Sequence, residues 1–181
     1  SSNGTPGWLL SGDTYNDMSF TVNFSEAASH NPYGDKDLKN ALIIGANEDN
    51  DGGFSGYLID VCTSFIDVFW FNSMSAGSRL QMDNIYLAGD YSRQDLSFSM
   101  ENSHLTIKAQ NGSVILDNEL RFYTPGQIGF WNTNLTNGQL TISNFSYSVS
   151  EQNSLFANCY YNEGNDWTVS NYGNTIKSSS T

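Results

Sequence analysis

The chain has 181 residues, of which 14% are aromatic and 14% are charged, and its formal net charge is −12. This length suits one domain with a substantial buried core. The acidic charge argues against nucleic acid, which requires clustered Lys and Arg, and against anionic membrane surfaces, and it leaves a neutral ligand, a cation or no charged partner.

Short apolar segments predict a series of β-strands along the first hundred residues. The clearest is 18–24, where Met, Phe and Val alternate with polar residues, as in a strand with one buried face. The other predicted strands are 8–10, 41–46, 57–62, 65–71, 79–87 and 96–100, with 57–62 and 65–71 forming a hairpin. Segment 25–40 is longer than most loops, which makes it a candidate functional loop.

The stretch from 103 to 149 has the strongest local pattern and predicts an antiparallel β-meander. Asn111-Gly112 lies between two apolar segments and predicts a two-residue type I′ hairpin turn. A strand with the sequence QIGFWN follows Pro125-Gly126. In the last strand of the stretch the apolar alternation changes phase near Asn144, which predicts a β-bulge.

The rest of the chain adds strands over 155–161, 167–169 and 175–177, and no amphipathic helix of useful length is recognisable. Many short strands separated by Gly, Asn and Pro turns predict an all-β, antiparallel two-sheet β-sandwich, with 1–181 as a single domain. Cys62 and Cys159 lack metal-binding spacing. They leave two alternatives open, a disulfide or two buried thiols.

The cellular location is predicted from composition. No apolar run is as long as a membrane span, and no signal peptide is recognisable. The low Lys content and the abundance of Ser and Asn favour a secreted or cell-surface protein. Because the sequence begins without Met, we expect a monomeric module within a larger chain.

One turn has part of a calcium-binding pattern. Asn47-x-Asp49-x-Asp51-Gly52 places oxygen side chains at positions one, three and five, followed by the turn Gly, as in a Ca²⁺ loop. Position twelve is Leu58, so the bidentate carboxylate would have to come from Asp60 or from another strand. The alternative interpretation is a solvated hairpin turn.

Sugar binding requires flat aromatic faces and a few planar polar groups. The aromatic candidates are Tyr57, Trp70, Tyr86, Tyr123 and Trp131. The polar candidates are Asp60, Arg79, Arg93, Glu119 and Arg121. For each aromatic residue, packing in the core is the alternative interpretation.

Catalytic patterns are weak in this sequence. His30 and His104 lie in no recognisable motif, no Gly-x-Ser-x-Gly elbow occurs, and Asp60 and Asp67 are isolated along the chain. A retaining glycosidase would require two carboxylates about 5 Å apart. We therefore expect a binding module without catalytic residues, with a glycoside hydrolase of related fold and a structural spacer or adhesin module as alternatives.

The order of the segments GWLL, MSFTVNF, ALIIGA, GYLIDV, FIDVFWF, LTIKAQNGSVILD and GQIGFWN resembles a lectin-like, concanavalin A-like jelly roll. It looks most like the fructan-binding modules beside levanases and the related keto-disaccharide-hydrolase-like domains. The resemblance implies a non-catalytic module of a secreted glycosidase or surface protein that binds a neutral polysaccharide or oligosaccharide, with a structural Ca²⁺. Relatives often carry an Arg where this chain has Ile43-Ile44-Gly45-Ala46.

The chain order departs from that of the relatives. They open with a Trp-x-Val strand and a short strand of small polar residues, and here the matching segments, 167–169 and 175–178, come last. Segment 154–181 is therefore predicted to supply the strands with which the fold of the relatives begins. A circular permutation, or excision of the module from a tandem array, would account for this order. A permutation predicts that Ser1 and Thr181 lie near each other.

Overall fold

The computed structural model describes residues 6–24, 41–48, 53–72, 81–133, 140–149, 160–161, 165–170 and 175–180. Within these ranges the chain forms strands and turns and contains no helix. The strands are β1 (Pro6–Leu10), β2 (Met18–Phe24), β3 (Ala41–Glu48), β4 (Phe54–Val61), β5 (Phe65–Phe71), β6 (Gln81–Ala88), β7 (Asp95–Glu101), β8 (His104–Lys108), β9 (Val114–Glu119), β10 (Gln127–Thr133), β11 (Leu140–Val149), β12 (Tyr160–Tyr161), β13 (Asn165–Ser170) and β14 (Thr175–Ser180).

The described strands form two sheets of seven strands each. Sheet 1 has the order β12-β1-β10-β3-β4-β5-β6, and sheet 2 has the order β13-β14-β11-β2-β7-β8-β9. All neighbouring strands are antiparallel. The predicted all-β, antiparallel two-sheet sandwich is confirmed. No helix in the described ranges has the length and apolarity to cross a bilayer.

The main core lies between the two sheets. Sheet 2 contributes alternate residues such as Phe20 and Ile107, and sheet 1 contributes residues such as Ile44, Tyr57 and Val68, all almost completely buried. The period of two in β2 and β7 follows from this arrangement, because one face of each strand packs inward and the other faces solvent.

The outer face of sheet 1 is also buried over most of its width. Ile43, Leu58, Phe69 and Trp131 point away from the main core and pack together in a second apolar cluster. This explains the continuous apolar run of β3, since a strand that is buried on both faces has no polar alternation. One cross-strand row on this face contains, from β1 to β6, Trp8, Trp131, Ala41, Asp60, Asp67 and Tyr86.

The predicted meander over 103–149 is wrong. Strands β8 and β9 belong to sheet 2, β10 lies between β1 and β3 in sheet 1, and β11 returns to sheet 2 between β14 and β2. Alternation along a strand shows which face is buried, and it does not show which strand is the hydrogen-bonding partner. The chain therefore changes sheets twice where the pattern predicted consecutive pairing.

The type I′ turn occurs one hairpin earlier than predicted. Asn102 and Ser103, between β7 and β8, have φ values of 51° and 64°, and the strand residues that flank them are directly paired. At the predicted position only Gly112 has a positive φ, 87°, and the Ala109 N–H donates to the Ser113 carbonyl, which closes a three-residue turn. The Asn111 carboxamide oxygen accepts hydrogen bonds from the Ser113 N–H and hydroxyl, which favours this conformation.

The predicted bulge in β11 is confirmed. Ser143 pairs with Asn23 and Ser146 pairs with Thr21, so β11 has one extra residue relative to β2 at this point. The phase change around Asn144 follows from that insertion.

The C-terminal strands complete sheet 2. Strand β13 pairs with β14, and β14 pairs with β11. The predicted strand over 155–161 is described only at β12. Ser1, Thr181 and Cys159 lie outside the described residues, so the permutation stays a prediction. Cys62 is completely buried, and the two alternatives for the cysteines stay open.

Candidate functional site

The site is built on the edge of sheet 1, where a bulge changes the course of β6. Val68 pairs with Ile85 and Trp70 pairs with Met82, so β6 has one extra residue between these two pairs. Asp83 lies in this bulge with a φ of 55°, a left-handed conformation that Asp tolerates better than most residues. The bulge directs the Asp83 carboxylate toward the segment that connects β9 and β10.

The Asp83 carboxylate links that connection to β4. Its Oδ2 accepts a hydrogen bond of 2.8 Å from the Tyr57 hydroxyl, and its Oδ1 accepts one of 3.2 Å from the Arg121 Nε. The backbone N–H of Arg121 also donates to Oδ2, at 3.3 Å. The Tyr57 hydroxyl in turn accepts a hydrogen bond of 2.9 Å from the Phe122 N–H. Three segments that are distant in sequence are therefore fixed to one another.

The ionisation of this network is set by burial and by its hydrogen bonds. Burial raises the pKa of the Tyr57 phenol well above its ordinary value, so Tyr57 stays neutral and donates its proton to Asp83. Burial alone would raise the pKa of the Asp83 carboxyl. The hydrogen bonds from Tyr57 and Arg121, with the charge of Arg121, outweigh that effect and hold the pKa below its ordinary value.

Apolar side chains lie beside this network on the protein surface. The rings of Trp70 and Phe122 stack with their centroids 5.2 Å apart and their planes at 29°. Phe122 is 37% exposed, Met82 is 36% exposed, and Trp70 is half-buried. We call Trp70, Met82, Phe122 and Arg121 together the Trp70 platform.

Arg121 supplies the polar group of the platform. Its side chain is 72% exposed, whereas that of Asp83 is only 10% exposed. Only the Nε of the guanidinium bonds to Asp83, and the two terminal nitrogens have no hydrogen-bond partner among the described residues. The guanidinium is therefore fixed at one end and keeps four N–H donors for a ligand.

Two other predicted ligand residues lie in the interior. Trp131 is completely buried on the outer face of sheet 1, with its ring edge against Phe54 at a centroid distance of 6.4 Å. Asp60 is 1% exposed, and its Oδ1 accepts a hydrogen bond from the Cys62 thiol. Trp131 therefore has the core position that was the alternative interpretation for each aromatic residue, and the carboxylate of Asp60 is likewise out of reach of solvent.

Tyr123 fixes the position of the β9–β10 connection through its hydroxyl and its ring. Its hydroxyl donates to the carbonyl of Asn16 at 3.1 Å, and its ring lies against the backbone of Gly45. Burial and the nearby Asp17 carboxylate raise its pKa to about 12. Tyr123 therefore supports the loop that carries Arg121.

The remaining predicted residues are dispersed. Tyr86 is 44% exposed on the outer face of β6, away from the Trp70 platform. Glu119 is exposed on β9 of sheet 2, opposite His104, and Arg93 is exposed in the turn between β6 and β7. Arg79 lies outside the described residues. The structure thus brings together Tyr57, Trp70 and Arg121 out of the predicted set.

Sequence reasoning missed Asp83, Met82 and Phe122. One signal was present, because Asp83 and Asn84 interrupt the apolar alternation of β6 and so indicate an irregular strand. No signal connected Phe122 to Trp70, since their contact depends on the turn between β9 and β10.

The predicted calcium ligands are only partly described. The Asn47 amide nitrogen donates to the carbonyl oxygens of Gly45, at 3.1 Å, and Thr124, at 3.4 Å, which leaves its Oδ1 as the atom that a cation would contact. Asp49 and Asp51 lie outside the described residues. Among those that are described, no three His, Cys, Asp or Glu side chains form a group that could hold a metal ion. The Ca²⁺ site stays a prediction.

The chain is similar to solved structures of other proteins. No family model matches the chain, and no curated protein matches it. The fold is similar to that of the carbohydrate-binding module CBM66 from Bacillus subtilis, with a TM-score of 0.47 and 17% sequence identity over 74% of this chain and 76% of that chain. A likeness to levanase-associated modules in particular stays a prediction.

Proposed function

We propose that the chain is a non-catalytic carbohydrate-binding module that takes a neutral oligosaccharide or polysaccharide on the Trp70 platform. The observation that carries the proposal is the combination of a stacked, partly exposed aromatic pair with a guanidinium whose direction is fixed by Asp83. The two features come from strand β5 and from the β9–β10 connection, and the Asp83 network holds these segments together.

The chemistry of the platform matches that of a sugar ring. A pyranose or furanose has one or two faces of C–H groups, which pack on aromatic rings, and hydroxyls at its edge, which accept hydrogen bonds from planar donors. Trp70 and Phe122 offer the apolar surface, and the terminal nitrogens of Arg121 offer the donors. The side chains of Trp70 and Arg121 are thus suited to different parts of the same ligand.

Charge favours a neutral ligand. The positive charge of Arg121 is balanced locally by Asp83, and the whole chain carries −12. An anionic sugar would be repelled by the overall field and would gain little from a guanidinium that is already paired. A neutral saccharide gains the hydrogen bonds without that repulsion.

The fixed geometry supports binding because little conformational freedom remains to be lost. Arg121 is held through both its backbone and its side chain, and Phe122 is held through its backbone N–H and its stacking on Trp70. Preorganised groups lower the entropic cost of association.

A glycoside hydrolase is less well supported. Asp60 and Asp67 are direct cross-strand partners in β4 and β5, which the sequence did not reveal. Two catalytic carboxylates must both reach the substrate. Asp60 is 1% exposed and accepts a hydrogen bond from Cys62, so a substrate at the surface would reach only Asp67.

The proposed cellular location, and the proposal that the module is part of a larger protein, rest on composition. A surface rich in Ser and Asn, with few Lys residues, supports a secreted or cell-surface module within a larger protein. A spacer or adhesin module without a sugar site would have no need of a fixed arginine beside an exposed aromatic pair.

The test is isothermal titration with a panel of neutral hexasaccharides, namely fructan, xylan, mannan and β-glucan fragments. Trp70→Ala should weaken binding of the recognised sugar at least tenfold, because it removes the larger aromatic surface. Val114→Ala is the control, since Val114 is an exposed apolar residue, 54% accessible, at the start of β9 and outside the platform. Wild-type protein that binds none of the panel, or a Trp70→Ala variant with wild-type affinity, would contradict the proposal.

A further inference from the structure

A second surface with sugar-binding chemistry lies on the other face of the β5–β6 hairpin. Asp67 and Tyr86 are direct cross-strand partners, and Asn84 precedes Tyr86 by two positions on β6. Side chains two apart on a strand share a face, so these three project from the outer face of sheet 1. We call Asp67, Asn84 and Tyr86 the Tyr86 patch.

Tyr86 is an aromatic surface of fixed orientation. Its ring stacks on Phe65, with centroids 5.5 Å apart and planes at 27°. Phe65 is 1% exposed, so it forms a rigid support, whereas Tyr86 is 44% exposed. An aromatic ring that is both supported and accessible can receive the C–H face of a sugar with little loss of rotational freedom.

The polar part of the patch consists of a carboxylate and a carboxamide that orient each other. The Asn84 Nδ2 donates to the Asp67 Oδ1 at 2.7 Å, at the surface of the sheet. A carboxylate accepts strong hydrogen bonds from hydroxyl groups, and a carboxamide both donates and accepts. This pair is therefore suited to two neighbouring hydroxyls of a saccharide.

We propose that the Tyr86 patch is a second saccharide subsite, specific for neutral sugars with vicinal hydroxyls. Its residues are distinct from those of the Trp70 platform, and it does not require that platform to function. The carboxylate of Asp67 gives this patch a negative character, which disfavours anionic sugars.

The two subsites face opposite sides of one hairpin. Asp67 and Tyr86 alternate in their strands with Val68, Ile85 and Leu87, which pack toward the main core, and Trp70 lies on that inner side. One straight saccharide chain cannot contact both faces of a sheet edge at once. The module would therefore bind two separate chains and cross-link a polysaccharide, with a gain in avidity on a dense substrate.

The test is the stoichiometry of binding in isothermal titration, with the neutral hexasaccharides used above. Wild-type protein should bind two hexasaccharides per chain, Tyr86→Ala and Trp70→Ala should each bind one, and the double variant should bind none. Asn84→Ala, which alters an exposed side chain and leaves the Tyr86–Phe65 contact in place, should weaken the second site at least fivefold. Thermal melting of each variant checks that the fold is intact.

The outcomes separate the two proposals. A stoichiometry of one that Trp70→Ala abolishes and Tyr86→Ala leaves unchanged overturns the second subsite and supports the platform. A stoichiometry of one that Tyr86→Ala abolishes and Trp70→Ala leaves unchanged overturns the platform and supports the second subsite. Wild-type protein that binds no hexasaccharide overturns both.

Discussion

The two sheets of the sandwich use their outer faces in opposite ways. On the described strands β2, β7 and β8 of sheet 2 the outward residues are polar, such as Ser97 and Ser99, and they are exposed or half-buried. On sheet 1 the outward residues are large and apolar, such as Leu58 and Trp131, and they are buried. Strands of sheet 2 therefore alternate between polar and apolar residues, whereas β3 and β4 are apolar on both faces.

The contrast between the sheets shows which part of the surface can bind a sugar. Burial along the cross-strand row of sheet 1 falls from Trp131 and Asp60, which are inaccessible, to Tyr86, which is 44% exposed. Aromatic side chains therefore reach solvent at the β6 edge, and both proposed sugar subsites are there. Sheet 2 has a regular polar surface and offers no comparable aromatic group on its described outer face.

The largest expected effect comes from the closest backbone approach in sheet 1. A Cβ at Gly129 would lie 1.7 Å from the Leu9 carbonyl oxygen, which is part of the neighbouring strand and cannot move away. Gly129→Ala should therefore destabilise the fold by more than about 4 kcal/mol, or prevent folding. Urea denaturation followed by tryptophan fluorescence measures the change.

The glycine in the turn between β8 and β9 of sheet 2 supplies the control. Gly112 has a φ of 87°, but a Cβ there would meet nothing within 4 Å. Gly112→Ala should cost only about 1–2 kcal/mol, from backbone strain alone. Equal losses for the two variants would contradict the difference in packing between the sheets.

Trp131→Ala should have the next largest effect. Trp131 is completely buried on the outer face of sheet 1, and removal of a buried Trp side chain costs about 3–5 kcal/mol. Ser99→Ala, on the exposed face of sheet 2, should change stability by less than about 0.5 kcal/mol. Below its melting temperature, the Trp131→Ala variant should keep wild-type sugar affinity. A large loss of affinity in the folded variant would show that Trp131 contributes to sugar binding.

Asp83→Ala should have an intermediate effect. The substitution leaves the buried Tyr57 hydroxyl without its acceptor and releases the Arg121 side chain, at a cost of about 1–3 kcal/mol. Asp83→Asn should cost less, because Asn tolerates the left-handed conformation and keeps an oxygen acceptor. Both variants should lower sugar affinity, because Arg121 is no longer fixed by a carboxylate. Unchanged affinity in both would contradict the positioning role of Asp83.

The pH dependence of the same variants follows from the lowered pKa of Asp83. Since the folded-state pKa is below the unfolded one, the Asp83 carboxylate stabilises the fold fully above its unfolded pKa of about 3.9 and loses this effect as the pH falls through the folded-state pKa. The stability difference between wild type and Asp83→Asn should therefore be constant from about pH 5 to 8 and shrink in stronger acid. A difference that grows on acidification would contradict this.

The smallest effect is expected at the exposed edge of sheet 2. Asp117 contacts the His104 Nε2, but the two side chains are 60% and 46% exposed. Asp117→Asn should change the free energy of unfolding by no more than about 1 kcal/mol, and the change should decrease further in high salt. Thermal melting at low and high ionic strength measures both. A loss comparable to that of Trp131→Ala would show that the outer face of sheet 2 is not a simple solvated surface.

Strand positions could be predicted from sequence because the period of two is a local property. Strand β2 has the bounds that its alternation predicts, and the bulge near Asn144 follows from a change of phase. Partner strands could not be predicted in the same way. Strand β10 lies between β1 and β3 because its inward residues complete the core there, and no local pattern contains that information.

The candidate site was harder to predict than the fold. Trp70 and Arg121 were recognised by residue type, but their neighbours depend on tertiary structure. Asp83 approaches Arg121 only because β6 has a bulge, and Phe122 reaches Trp70 only because the β9–β10 connection folds back over sheet 1. Trp131 and Tyr123 are aromatic like the others, and only their burial and contacts separate them from a ligand surface.

The pairing of β1 with β10 and of β2 with β11 has a consequence for synthesis on the ribosome. Trp8 pairs with Trp131, and Phe20 pairs with Tyr147, so β1 and β2 emerge from the ribosome long before the strands that pair with them. The β4–β5 and β7–β8 hairpins can close while translation continues, because their strands are adjacent in the chain. Neither sheet can be completed until β10 and β11 have been translated, and until then the nascent chain carries unpaired apolar edges that attract chaperones.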